Sequence, residues 1–179
     1  CIKDVKLLQL QKVLKKSTGQ MQYSHEYAER IGENLSKSFL EVLKEKNLPD
    51  GRLYYNIGQR TIVPMLKEAQ ISVNEYSEML LASIDEQQNI GIGSMLPEFP
   101  EGRIDGLVDK ATARGLEEDL IRWLGEPVIN NCEAFADDFV KENAKFRAEI
   151  GMESTIERIA KYKCCEWCAA IAGKYKYGT

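Results

Sequence analysis

The chain has 179 residues, 44% hydrophobic and 29% charged, which supplies the core of one globular domain, or of one compact part of a larger protein, and argues against global disorder. Its longest apolar runs are about five residues, far short of the roughly 20 that a bilayer-spanning helix requires, so no membrane-spanning segment is expected. A net charge of −4 gives the chain as a whole no electrostatic reason to seek phosphate backbones.

The charge is uneven. Residues 1–46 carry +3 and residues 67–126 carry −8, so the acidic middle is expected to meet solvent or a basic protein patch. The first residue is Cys1 rather than Met and no charged segment leads into an apolar run, so we expect a trimmed N-terminus, no signal peptide and a cytosolic setting. The five cysteines (Cys1, Cys132, Cys164, Cys165, Cys168) are an odd number with three crowded into five residues, a poor disulfide framework that favours a reducing compartment. The sequon Asn34-Leu-Ser36 lies inside a helical pattern and reads as accidental.

In chain order, Leu7, Leu10 and Leu14 mark a first helix that Gly19 stops. A second begins near Ser24 as N-cap and carries Ala28, Ile31, Leu35, Phe39 and Val42 on one stripe. Residues 47–51 (Asn-Leu-Pro-Asp-Gly) form a turn, and residues 53–60 are ambiguous. Thr61 can then cap a long helix with Pro64 in its first turn, where Ile62, Leu66, Ala69, Val73, Tyr76 and Leu80 repeat at alternating intervals of four and three. This is the strongest periodicity in the chain, and it predicts bundle packing against the second helix.

Residues 89–100, with two Gly and two Pro, read as a loop or linker. Two short helices follow, at 101–114 (Ile104, Leu107, Val108, Ala111) and 116–124 (Leu116, Leu120, Trp123, Leu124). The next helix has Pro127 near its start, a stripe of Cys132, Phe135, Phe139, Asn143, Phe146 and Ile150, and Gly151 as its stop; Cys132 reads as a small core residue. Residues 154–159 alternate like a strand, with a partner expected downstream or on another chain. The fold class expected is mainly α: a multi-helix bundle of long amphipathic helices with the start of a small α+β unit at the C-terminus. The division expected is 1–88, a linker at 89–100, a second helical region at 101–151 and an incomplete unit at 152–179.

No catalytic residue is nominated. His25 is the single histidine and sits in the first turn of a helix as a surface residue, which leaves no material for a Ser/His/Asp arrangement or for the usual His-containing metal sites. Residues 90–94 (Ile-Gly-Ile-Gly-Ser) lack phosphate-loop spacing and read as a hinge. Adjacent acidic pairs such as Asp137/Asp138 belong to solvated faces. The distinctive constellation is Cys165-Glu-Trp-Cys168, whose spacing suits two thiolates on one metal or one redox-active disulfide. Redox is the weaker option, because no βαβ unit precedes it. Structural zinc takes four ligands, so Cys165 and Cys168 form a half-site, no cofactor is expected from these residues alone, and zinc only with a second half.

Three stretches carry a resemblance. They are Leu48-Pro-Asp-Gly-Arg-Leu-Tyr-Tyr-Asn-Ile-Gly-Gln-Arg-Thr-Ile-Val-Pro-Met-Leu66, Trp123-Leu-Gly-Glu-Pro-Val-Ile-Asn-Asn-Cys-Glu-Ala-Phe-Ala-Asp-Asp-Phe139 and Cys165-Glu-Trp-Cys-Ala-Ala-Ile-Ala-Gly173, the last continuing into Lys-Tyr-Lys-Tyr-Gly178. Together they resemble the minor capsid (head morphogenesis) proteins of tailed phages of Gram-positive bacteria, the Mu-F-like group, over nearly the whole chain. In that family the C-x-x-C is followed by an Arg-Arg-His segment and a second cysteine pair; the sequence here ends at Thr179, before the corresponding positions. The resemblance implies a non-enzymatic virion component inside the head, present in the host cytoplasm during assembly. Its partners would be portal and capsid proteins, its role head assembly or DNA ejection, with packaged DNA nearby but no sequence-specific binding. Two other readings stay open: the phage-head adapter part of a longer toxin protein, and a helical regulator that binds a host protein.

Overall fold

The computed structural model describes residues 21–45, 48–114, 117–153, 155–158 and 165–176. In order these form α1 (Gln22–Glu45), a 3-10 turn (Pro49–Gly51), α2 (Tyr55–Gln87), α3 (Glu101–Ala113), α4 (Glu117–Glu149), β1 (Thr155–Arg158), α5 (Glu166–Ala170) and β2 (Gly173–Lys176). The fold is mainly helical, with one small antiparallel sheet near the C-terminus. The helix expected around Leu7, Leu10 and Leu14 lies outside the described residues.

The bundle is organised around α1, which packs most extensively on α4 and next on α2. Its contacts set the directions: His25 meets Asp137 while Gly32 meets Ile129, so α1 runs antiparallel to α4. Tyr27 stacks on Tyr76 with ring centroids 4.4 Å apart. Ser77 of α2 and Asp137 of α4 both meet the start of α1, at Ser24 and His25, and further on Asp85 of α2 pairs with Arg147 of α4, so those two long helices run parallel. The core joins Ala28 and Phe39 of α1, Ile62, Leu66 and Val73 of α2, Ile104 and Val108 of α3, and Leu124, Val128, Cys132 and Phe135 of α4.

The face of α1 that seats on its neighbours is built from small residues: Ser24, Ala28, Gly32 and Ser36 recur every four residues and are all buried, followed by Phe39 and Leu43. Ile31 and Leu35, which the sequence placed on the central stripe, flank this seam half-buried. A Cβ on Gly32 would stand 2.7 Å from the Ile129 Cα, and one on Gly125 of α4 would stand 3.0 Å from the Ser36 Oγ. Ser24 does not act as N-cap. The helix begins before it, and its hydroxyl pairs with that of Ser77 on α2, which in turn donates to the Val73 carbonyl at 2.7 Å.

The residues 53–60 left ambiguous by the sequence resolve into the first turns of α2, which starts at Tyr55 rather than Thr61. Packing is the cause: Leu53 is buried, and Gly58 lets the helix lie against Val108 of α3, where a Cβ would come within 2.9 Å of the Val108 Cγ1. Pro64 therefore sits inside the helix and removes a hydrogen bond to the Arg60 carbonyl. The stripe itself holds, with Ile62, Leu66, Ala69, Val73, Tyr76 and Leu80 all buried.

The second difference is in α4. The short helix at 116–124 and the helix expected from Pro127 are one helix, and Pro127 is inside it. A helix-interior proline costs about 3 kcal/mol. Here Leu120, Leu124, Val128, Cys132 and Phe135 form an unbroken buried line across it, and their burial is worth roughly 1.5–3 kcal/mol per large side chain. Asn131 also donates from Nδ2 to the Pro127 carbonyl at 2.8 Å.

Both long helices stop in the same manner. At the end of α4, Gly151 (φ +85°) donates to the Ala148 carbonyl at 3.0 Å and Met152 to the Arg147 carbonyl at 2.9 Å. At the end of α2, Asn89 (φ +55°) donates to Glu86 at 3.2 Å and Ile90 to Asp85 at 2.8 Å. These are Schellman closures, with Gly or Asn in the left-handed position that other residues avoid.

The strand expected at 154–159 appears as β1, and its partner is in the same chain. β2, from the Gly-Lys-Tyr-Lys segment, pairs with it so that Ile156 faces Tyr175.

The tight α1/α4 seam yields a pair of opposite expectations. Gly32→Ala should destabilise the chain by about 1–3 kcal/mol because backbone, not a movable side chain, opposes the added methyl. Gly106→Ala on α3, where an added Cβ meets nothing within 4 Å, should stabilise by about 0.5–1 kcal/mol. Urea midpoints at unchanged slope measure both.

Candidate functional site

The nominated Cys165 and Cys168 lie on the short C-terminal unit, where α5 bridges the two strands. Cys165 is exposed just ahead of α5, its carbonyl accepts from the Ala169 N–H at 3.1 Å, and Cys168 follows within the helix. Cys1 and Cys164 lie outside the described residues. Trp167 between the two cysteines is 69% exposed. The unit is tied together by the Tyr175 hydroxyl donating to the Ile171 carbonyl at 2.8 Å, by Arg158 over the Tyr175 ring, and by the ion pairs Lys174–Glu157 and Lys176–Glu153 at 3.7 and 3.3 Å. Among the described residues no three or more His, Cys, Asp or Glu gather as metal ligands.

The remaining candidates take ordinary structural positions. Cys132 is fully buried in the core, and burial first, then the neighbouring Glu133 carboxylate, pushes its thiol up to about 12. His25 is half-buried with Nε2 3.2 Å from Asp137 Oδ1, and the adjacent Asp138 faces Arg103 of α3 at 2.9 Å, so this acidic pair does diverge. A shallow polar groove of about 350 Å³ lies between α2 and the start of α3, lined by Tyr55, Gln59, Lys67, Phe99 and Asp105. Gln59 donates to both Asp105 and Tyr55 across it at 2.8 Å, and Lys67 lies over the Phe99 ring.

Two polar constellations escaped the sequence. The first is the buried ion pair near the ends of α2 and α4: Arg147 donates through two nitrogens to the two oxygens of Asp85, at 2.8 and 2.5 Å. The second fastens the segment that follows α2. Asn143 of α4 accepts from the Met95 N–H through Oδ1 at 2.8 Å and donates through Nδ2 to the Met95 and Phe139 carbonyls at 2.8 and 2.9 Å. Gln70 of α2 donates to the Glu98 and Pro97 carbonyls at 3.1 and 3.4 Å, and Ser94 donates to Glu78 at 2.5 Å. The available signal was Asn143 itself, an amide at a stripe position where every residue one or two turns before it was apolar.

No family model matches the chain, and no curated protein or solved structure matches it either.

Two measurements follow from this geometry. Asp85→Ala should cost about 3–5 kcal/mol, because it strands a buried guanidinium, whereas Asp85→Leu combined with Arg147→Met should recover most of the loss; chemical denaturation of the single and double variants checks it. In alkylation mapped by mass spectrometry at pH 8, Cys165 should react at once and Cys132 only on unfolding. Burial raises the Cys132 thiol, so its reactive thiolate is scarce until the pH approaches 12.

Proposed function

We propose that this chain is a structural component of a phage head, a minor capsid protein that seats on the portal inside the head and acts in assembly or genome ejection without catalysing a reaction. The observation that carries the reading is the resemblance of residues 48–66, 123–139 and 165–173 to the Mu-F-like group. The first two stretches build the beginning of α2 and the middle of α4, and they share one core through Leu53, Ile62, Leu66, Leu124, Val128 and Phe135. The third holds the exposed Trp167, a large apolar side chain of the kind that anchors protein interfaces.

The charge pattern supports protein rather than DNA as the partner. The −8 of residues 67–126 includes exposed Glu68, Glu75, Glu78 and Glu86 along α2, which suit a basic protein patch and repel a phosphate backbone. Packaged DNA would be a neighbour in the head, not a specific ligand.

Co-expression with the portal and major capsid proteins of the same genome, followed by sizing and mass spectrometry, tests the reading. Co-migration with a portal ring is expected. A stable monomer that ignores both proteins overturns it.

A further inference from the structure

Two segments leave the bundle where α2 and α4 end. One is the strap, residues 88–100, which returns to α3 and is clamped at Met95 by Asn143; the other is the ribbon formed by β1, α5 and β2. A single buried pair stands at both exits. Arg147 donates through two nitrogens to the Asp85 carboxylate, and the two side chains are only 11% and 5% exposed. Their main chains close the same two helix ends. The Asp85 carbonyl accepts from the Ile90 N–H at 2.8 Å, the last bond of the α2 closure, and the Arg147 carbonyl accepts from the Met152 N–H at 2.9 Å, the last bond of the α4 closure. Each residue therefore holds the equivalent place in the Schellman motif of its own helix.

That coincidence ties one end to the other. Unwinding the last turn of α2 to release Ile90 rotates the Asp85 backbone and carries its carboxylate off the guanidinium. Arg147 then has no substitute acceptor: Nη1 and Nη2 both bond Asp85, and the buried Nε has no hydrogen-bond partner among the described residues. A guanidinium stripped of its carboxylate in so enclosed a place is costly, and it regains water only by swinging out. That movement loosens the α4 turn that holds Met152. The argument runs equally in reverse, because unwinding α4 from Met152 strands the Asp85 carboxylate. Ordinary helix ends fray separately, each at its own local cost.

We propose that Asp85 and Arg147 form a clasp that makes the two exits open as one cooperative unit, so that drawing the ribbon off the end of α4 also frees the start of the strap. Gly91 and Gly93, each with open space around it, let that start swing as far as the Asn143 grip on Met95. The clasp is a conformational device: a pull on the ribbon reaches the strap without passing through the core. The inference does not depend on the portal reading.

Residue-resolved hydrogen exchange of the full chain tests it. The Ile90 and Met152 amides are expected to have protection factors within about threefold of each other and at least about tenfold below that of Phe135. A larger difference between the two, or release of both only together with Phe135, overturns the proposal. The second measurement perturbs one exit and reads the other. Gly151→Ala, which sets a side chain at φ +85°, should speed Met152 exchange about tenfold. With the clasp present it is expected to speed Ile90 at least about fivefold and to leave Phe135 unchanged. In the Asp85→Leu, Arg147→Met chain the same substitution should still speed Met152 but move Ile90 by less than about twofold. Indifference of Ile90 in the parent chain, or an equal effect on it in both backgrounds, overturns the clasp. Should the double variant fail to fold, the parent chain and its Gly151→Ala variant still decide.

Discussion

The architecture depends on how near α1 comes to α4. At Gly32 and Ser36 the buried small-residue face of α1 admits almost no side-chain volume between the helices, and Gly125 answers it from the other side. That closeness brings Phe39, Phe135 and Val128 into one cluster. It also explains tolerances that local preference would forbid. Glycine inside a helix costs roughly 1 kcal/mol relative to alanine and proline about 3. Gly32, Gly125 and Pro127 are all helical here, because the buried area their neighbours gain in contact outweighs those local terms.

What could be read from the chain follows from where the signal resided. The α2 stripe was legible because each of its positions carries a bulky or apolar residue at helical spacing, and burial selected that face. The α1 seam was not, because its central positions are Ser, Ala, Gly and Ser, which carry no hydropathy; Ile31 and Leu35 drew attention to the flank instead. Pro64 and Pro127 were read as helix starts on local grounds, while Val108 against Gly58 and the line from Leu120 to Phe135 decided otherwise. The sheet was half legible. The alternation around Ile156 announced β1, but the second strand begins at Gly173 and carries exposed Lys174 and Lys176, a pattern shared with any solvated tail.

The functional features divide the same way. A C-x-x-C pair is conspicuous in a sequence because its chemistry is local. The strap clamp is not, because Gln70, Asn143 and Met95 are scattered over more than seventy positions and only the parallel course of α2 and α4 assembles them. Asn143 earns its place on an otherwise oily stripe by holding main chain, so an amide among aromatics was the sole trace of the clamp before folding.

The joined endings of α2 and α4 have a consequence for the molecule's outline. With Asp85 and Arg147 binding these termini side by side, the strap, the cysteine-bearing ribbon and the entry into α1 all emerge from one pole, while the opposite pole holds the Pro49–Gly51 turn and the far end of α3. The described residues thus present two unlike ends, and any neighbour meets a different object according to which end it approaches.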